Sequence, residues 1–363
     1  MSAAEEPEAE LTDPYATQRL ARSQRMLEAI APCKRIVTVA HVNPDPDALA
    51  CMLGLKTLIE AKQPGKPVVM TVDGMIARAE NRAMVALIPM TLEPVETVAV
   101  DADTGVIMVD SQPFTGRRAR EDMAPRVVLD HHETGGKLEG VVFKDLRPNL
   151  GATSTMIVGY LLEQGVGVSP TLATALFYGI ESEIEGYPRE ACSLDDGAMA
   201  WLFPRADKDL LARIRNPKLP QSHFATFKHA LANSFVYGDV VVAWCGVVTQ
   251  PDIISEIAEF FQRFDQVDWT LAVGKFDNML KLSLRVGLLG SHSGVVLRAV
   301  VDGLGTAGGH DKRAGGAIPL PDERPETIET LLTTIRRRLL KELHVDEHQG
   351  RRLLQASPTI SAP

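Results

Sequence analysis

Three short segments of this 363-residue chain carry the residue types that hold divalent metal. In Ala40-His41-Val42-Asn43-Pro44-Asp45-Pro46-Asp47-Ala48, an imidazole and two carboxylates crowd one polar stretch. Asp110 ends the apolar run Val106-Ile107-Met108-Val109, and Asp130-His131-His132 ends Val127-Val128-Leu129. Taken singly, each has an ordinary reading: Asp45, Asp47 and Asp110 as caps or turn residues, His41 as a core histidine, the His pair as polar loop. Repetition changes the balance, because acids and imidazoles then gather at the same ends of successive strands. Two divalent ions about 3.5 to 4 Å apart require such a set, with at least one carboxylate able to bridge them. Hard carboxylates with a few imidazoles suit manganese or magnesium, with neither surrounded by thiolate.

The elements that must position these residues read as a parallel α/β sheet. Arg35–Ala40, Pro67–Val72, Thr104–Val109 and Arg126–Leu129 are near-continuous apolar runs of the kind buried on both faces, and in such sheets ligands sit beyond the carboxyl ends of the strands. Helices are expected through ATQRLARSQRMLEAI, over 48–61, near 76–87, over 152–164 and 170–180, and across 195–214. Asn216-Pro217-Lys218-Leu219-Pro220 then reads as a boundary. The expected plan is a flexible tail over 1–13, a catalytic domain over 14–215, a linker over 216–234, a smaller strand-rich α/β domain over 235–342, and a tail over 343–363. Two domains are the default at this length, and they would place the active site in the cleft between them.

Bulk properties bound the function. Lys plus Arg number 38 and Asp plus Glu 47, so the net charge is -9, the wrong sign for gripping long duplex nucleic acid. Aromatics, at 5%, are not interleaved with basic residues, which disfavours a stacking platform for long single strands. Cys33, Cys51, Cys192 and Cys245 form no CxxC pair or disulfide framework and read as buried thiols. The acidic start and the lack of any run of about 20 apolar residues lead to the expectation of a cytoplasmic protein with no membrane partner. The oligomeric state is open, a homodimer included.

HVNPDPDALA, VIMVD and VVLDHH, in this order, resemble the first three motifs of the DHH phosphoesterase superfamily, and GGHDKRAGG resembles the signature of the DHH-associated domain that accompanies it. The similarity spans roughly residues 34 to 340. It implies a DHH domain followed by the associated domain, of the oligoribonuclease or pAp-phosphatase-like branch. It also implies His41 and Asp45 on one metal, Asp47 and His131 on the other, Asp110 bridging, His132 on substrate phosphate, and Asp130 orienting a ligating imidazole. The fourth motif usually offers an Asp ligand where Gly179-Ile180-Glu181-Ser182-Glu183-Ile184 offers Glu183, with Glu181 and Glu185 as neighbours that could be recruited. One extra methylene matters in two-metal chemistry.

In the second domain, Gly308, Gly309 and Gly315-Gly316 would admit close backbone approach to a ligand. His310 and Arg313 would be donors to it, and Arg285 resembles the family's cleft arginine. Gly303-Leu304-Gly305-Thr306-Ala307-Gly308 also satisfies G-x-G-x-x-G, but the glycines and Pro319 beyond it do not open a helix, so a dinucleotide site is not expected there. The expected activity is two-metal hydrolysis of a phosphoester in a small nucleotide: a short oligoribonucleotide, 3'-phosphoadenosine 5'-phosphate, or a linear dinucleotide. The competing readings are a nucleotide-binding protein weakened by Glu183 and a pyrophosphatase or polyphosphatase.

Overall fold

The structure, a computed structural model, describes residues 16–113, 123–133, 135, 138–184, 191–287, 291–309 and 311–354. It divides into two compact units, 1–217 and 218–363.

In the N-terminal unit α1 (Ala16–Ile30) leads into β1 (Arg35–Val39), α2 (Pro46–Lys62), β2 (Val68–Val72), α3 (Ala79–Leu87) and β3 (Leu92–Pro94). Next come β4 (Thr104–Val109), β5 (Val127–Asp130), β6 (Phe143–Leu146), α4 (Thr153–Glu163), α5 (Pro170–Ile184), α6 (Ser193–Leu202) and α7 (Lys208–Arg215). The sheet order is β3-β2-β1-β4-β5-β6 with every pairing parallel. The order reverses between β1 and β4, and such a switch point opens a crevice at the strands' carboxyl ends. Both faces are apolar, as the strand composition requires. Ile36, Ile107, Val109 and Leu129 join the core built by α1, α2, α4 and α5, while Val37, Val39, Val106, Met108 and Val128 pack a smaller core on the other side.

The helices over the first face approach closely where small residues allow it. A Cβ on Gly54 of α2 would lie 2.5 Å from Ile157 Cγ2 of α4, and one on Gly179 of α5 would meet Ser154 Oγ at 2.8 Å and Pro46 O at 3.1 Å. At such contacts only glycine keeps the spacing.

The C-terminal unit contains α8 (Gln221–Ala232), β7 (Ser234–Tyr237), β8 (Val240–Val247), α9 (Asp252–Phe261), β9 (Trp269–Phe276), β10 (Met279–Val286) and α10 (Ser293–Val301). It closes with β11 (Thr306–Gly309), β12 (Arg313–Pro319), α11 (Pro325–Glu342) and the two-residue β13 (Arg351–Arg352). Its seven-stranded mixed sheet runs β11-β12-β10-β9-β8-β7-β13, parallel only at β8–β9. The β9–β10 hairpin turns on Asp277-Asn278, with Asp277 at φ +48, as tight hairpins demand.

Three boundaries differ from expectation. The helix expected across 195–214 is broken into α6 and α7 by a turn at Phe203-Pro204-Arg205, where proline removes a helical donor. The stretch expected as a linker, 216–234, contains α8, whose Ala230 is buried in the core beneath β8. Part of the expected C-terminal tail is ordered, for Val345 packs on the second core and β13 pairs with β7. The 1–13 tail lies outside the described residues.

Candidate metal centre

Three loops bring the sequence candidates together at the switch point. The first comes after β1. Asp45 caps α2, with Oδ1 accepting from Ala48 N at 3.1 Å, and Pro46 fills the first helical position, where its missing N–H costs nothing. The cap reading and the ligand reading are therefore both satisfied. Capping consumes one oxygen and leaves Asp45 Oδ2 3.5 Å from His41 Nε2. His41 Nδ1 donates to Val42 O at 3.0 Å, which puts the proton on Nδ1 and leaves Nε2 as the electron-pair donor.

The second loop comes after β4. Asp110 is almost fully buried and lies in the left-handed region at φ +51, a conformation that Asp tolerates better than most residues. The backbone turn aims its carboxylate at three imidazoles: His41 Nε2 at 3.4 Å from Oδ2, and His131 Nε2 at 3.5 Å and His132 Nδ1 at 3.9 Å from Oδ1. His41 with Asp45 and Asp110, and Asp110 with His131 and His132, each gather ligand atoms within 4.8 Å of one another, and Asp110 is common to both groups.

The third loop comes after β5. His131 Nδ1 donates to Leu150 O at 3.1 Å, again turning Nε2 toward Asp110. His132 Nδ1 lies 2.8 Å from Asp130 Oδ1, and Gln112 Nε2 donates to Asp130 Oδ2 at 2.7 Å. Asp130 thus orients His132 in particular. The same bond holds the Asp130 carboxyl below its ordinary range against the opposing effect of burial, and lifts His132 above its own despite burial.

The donor set fits a cation. His41 Nε2 and His131 Nε2 are buried with no hydrogen-bond partner. Their 3.4 to 3.5 Å separations from Asp110 are too long for good hydrogen bonds but close to the roughly 3 to 3.5 Å between neighbouring ligands of one small ion. The buried acids also act on one another, with His131 opposing the effect. Burial, then Asp110, pushes Asp47 up to about 7; burial, then Asp45 and Asp110, pushes Glu183 up to about 8. The Asp110, Asp47 and Glu183 charges raise His131 to about 9 against burial. Glu183, at the end of α5, feels the charges of these acids and of His131, and it belongs to neither group around Asp110.

Asp47 is held by backbone N–H groups. Its two oxygens accept from the Ser154 and Thr153 amides at 2.7 Å each, at the start of α4, and it belongs to neither of the two groups around Asp110. Glu181 is paired bidentately with Arg215, and Glu185 lies outside the described residues. Thr153, Ser154 and Gln112, which contact Asp47, Asp110 and Asp130, carried no signal beyond that of ordinary polar residues.

Residues 35–180 match the model of the DHH family, N-terminal domain. Within the N-terminal unit, this segment is what the chain shares with the DHH family. Phosphoesterases of this family depend on divalent metal, in accord with the donor set. Over 287 residues the chain is 30% identical to an uncharacterized protein of Methanocaldococcus jannaschii, covering 78% of this chain and 58% of that protein. It is 24% identical over 256 residues to the A-adding tRNA nucleotidyltransferase of Aquifex aeolicus, covering 66% of this chain and 29% of that enzyme. The chain thus spans about half, or less, of these relatives. A crystal structure of an exopolyphosphatase-related protein from Bacteroides fragilis shares the fold, with TM-score 0.64 and 16% identity over 89% of this chain and 97% of that one.

The remaining candidates lie in the C-terminal unit, outside the matched segment. Arg285 and Arg313 are cross-strand neighbours on β10 and β12, and Arg285 Nη2 is 3.2 Å from Glu259 Oε1 of α9. Gly308 and Gly309 form β11, where a Cβ on Gly309 would collide with Ala314. The G-x-G-x-x-G segment runs into β11 rather than a helix, as expected of a decoy. His310 lies outside the described residues. Cys33, Cys51 and Cys245 are buried thiols and Cys192 is half-buried, all four unbridged. Among the described residues no helix is long and apolar enough to cross a membrane.

Proposed function

We propose that this chain is a two-metal-dependent phosphoesterase acting on small nucleotides: short oligoribonucleotides, 3'-phosphoadenosine 5'-phosphate or linear dinucleotides. One observation carries the reading. Two ligand groups share Asp110, and each contributes a buried imidazole nitrogen with no protein partner. His41, Asp45 and Asp110 would hold one ion, and Asp110, His131, Asp47 and Glu183 the other, manganese or magnesium. When bound, such a pair would lower the pKa of the attacking water and offset charge on the phosphoryl oxygens.

The chain's own groups supply the rest. Burial of His41, Asp110 and Asp130 keeps bulk water from competing for these groups, so their charges act at short range in a low dielectric. His132, held at Nδ1 by Asp130 and raised in pKa, carries a proton at Nε2 that stabilises a phosphate oxygen as charge builds on it. In the C-terminal unit, Arg285, Gly308, Gly309, His310 and Arg313 are proposed to bind nucleotide.

The test is hydrolysis of a panel by metal-stripped protein reloaded with manganese or magnesium. The panel comprises a diribonucleotide, 3'-phosphoadenosine 5'-phosphate, linear and cyclic dinucleotides, and pyrophosphate. Metal-restored turnover of a nucleotide, absent in Asp110→Ala, is the expected result. Turnover of pyrophosphate alone would move the substrate class to inorganic phosphates. Silence throughout, with nucleotide binding intact, would mean that the chain binds without hydrolysing.

A further inference from the structure

The segment Leu150-Gly151-Ala152-Thr153-Ser154-Thr155, which opens α4, touches the centre at four points. Leu150 O accepts from His131 Nδ1, the Thr153 and Ser154 amides donate to Asp47, and Thr153 Oγ1 donates to Asp110 Oδ1 at 3.0 Å. Three candidate ligands from three different loops thus take their aim from one stretch of chain. Whatever fixes that stretch fixes them.

Asp195 grips it from behind. Its side chain belongs to α6 and is fully buried, and among the described residues no cation pairs with it. Oδ2 accepts from Gly151 N at 2.9 Å and Oδ1 from Thr155 Oγ1 at 2.5 Å, so the two bonds bracket the Thr153 and Ser154 amides. A third, from Cys192 N at 2.8 Å, is the local cap of α6 and would by itself make Asp195 an ordinary helix-start residue. The other two reach forty or more positions back along the chain, which no cap requires. Burying a carboxyl without a cation is costly, and these three hydrogen bonds offset part of that cost. Gly151 closes the vice from the other side, since a Cβ there would stand 2.5 Å from Ile184 Cγ2, the residue next to Glu183, and 3.0 Å from Asp195 Oδ2.

We propose that Asp195 is a positioning residue for the metal centre, locking the first turn of α4 in the place from which Asp47, Asp110 and His131 are aimed. The inference rests on the two-metal reading above, and the experiment separates the two. Mn(II) is titrated calorimetrically into metal-stripped wild type, Asp195→Asn, Thr155→Val and Asp110→Ala, well below the unfolding midpoint of each, and the midpoints are recorded. Asn keeps the size of Asp195 but removes its charge and puts an N–H donor where one oxygen accepted, so the Thr155 hydroxyl must reverse to keep its bond. The folded Asp195→Asn protein is expected to bind Mn(II) roughly 10- to 100-fold more weakly, the range for residues that orient ligands. Thr155→Val should move the same way by less, and decides the matter alone if Asp195→Asn does not fold. Raising Mn(II) should restore turnover to Asp195→Asn but not to Asp110→Ala. A lowered midpoint with wild-type Mn(II) affinity would make Asp195 a structural cap and overturn the proposal. Equal Mn(II) binding by wild type and Asp110→Ala would remove the two-metal reading, and this one with it.

Discussion

Asp110 concentrates the demands of the site in one residue. It must end a buried strand, turn its backbone to φ +51 and present both oxygens to imidazoles. Asn tolerates the same backbone and fills the same volume, so Asp110→Asn should keep the fold, with a shifted midpoint because the charge that raises Asp47, Glu183 and His131 is gone. Its turnover should nevertheless fall on the order of 10³-fold, because a bridging charge worth several kcal/mol in the transition state is gone. An Asn variant with near-normal turnover would exclude Asp110 as a bridge. Asp130 makes a separate, pH-dependent case. Removing its charge in Asp130→Asn takes away what lifts His132, so the imidazole should lose its proton at lower pH. The alkaline limb of the kcat/KM profile should move toward acid, and an unmoved limb would assign it to another group. These residues were legible because each ligand type sits at the end of an apolar run, a local signal. Gln112, Thr153 and Asp195 were not, since a polar residue acting through another leaves no spacing to read. Only the fold brings Asp195 to Gly151.

At the scale of elements, the sheet order places β1 beside β4, and this adjacency joins the loop of His41 to the loop of Asp110. The long apolar strands were readable in advance. β3 (Leu-Glu-Pro), β6 (Phe-Lys-Asp-Leu) and the glycine-rich β11 were not, being too short or too poor in β-branched residues to show a pattern. α8 was hidden behind Pro217 and Pro220, which mark a break in the chain but carry no sign of the helix beyond it. The outer edge of the sheet is held by a buried carboxylate. Asp145 of β6 accepts from Arg147 at 2.6 Å, from Tyr160 Oη of α4 at 2.8 Å and from Arg22 of α1 at 2.5 Å. Asp145→Asn should cost about 3 kcal/mol, the low end for a broken buried pair because the Arg22 side chain is 39% exposed. Arg147 and the other donors hold this carboxyl below its ordinary range although burial opposes them. A depressed pKa means that its contribution is complete above the unfolded-state value, about 3.9, and is lost as pH falls through the folded value. Urea unfolding should therefore show a wide gap between wild type and variant at neutral pH, closing in acid. A gap that persists in strong acid would point to packing instead.

For the molecule as a whole, the site gathers several of the acids that give the chain its net charge of -9, so the metal is also a stability matter. In the stripped protein Asp47 at about 7, Glu183 at about 8 and His131 at about 9 are all shifted upward. Each shift has the same consequence. A group bound more tightly to its proton in the folded state stabilises fully below its unfolded pKa, and that contribution is lost as pH rises through the folded value. Stripped protein should therefore lose stability steadily between about pH 5 and pH 9, as buried acids ionise beside one another and His131 gives up the charge that offsets them. Divalent cations reverse the balance by replacing those protons, so Mn(II) binding should release protons, and more of them below pH 8 than above it. The metal should raise the unfolding midpoint most in alkali, with about 2.7 kcal/mol gained at a free concentration one hundred times Kd. Calorimetry of Mn(II) binding in buffers of different ionisation enthalpy counts the protons, and thermal melts across the same pH range read the stability. A stripped protein equally stable from pH 5 to pH 9, binding Mn(II) without proton release, would mean that these carboxyls are ionised and solvated already, and that no cation is needed to hold them together.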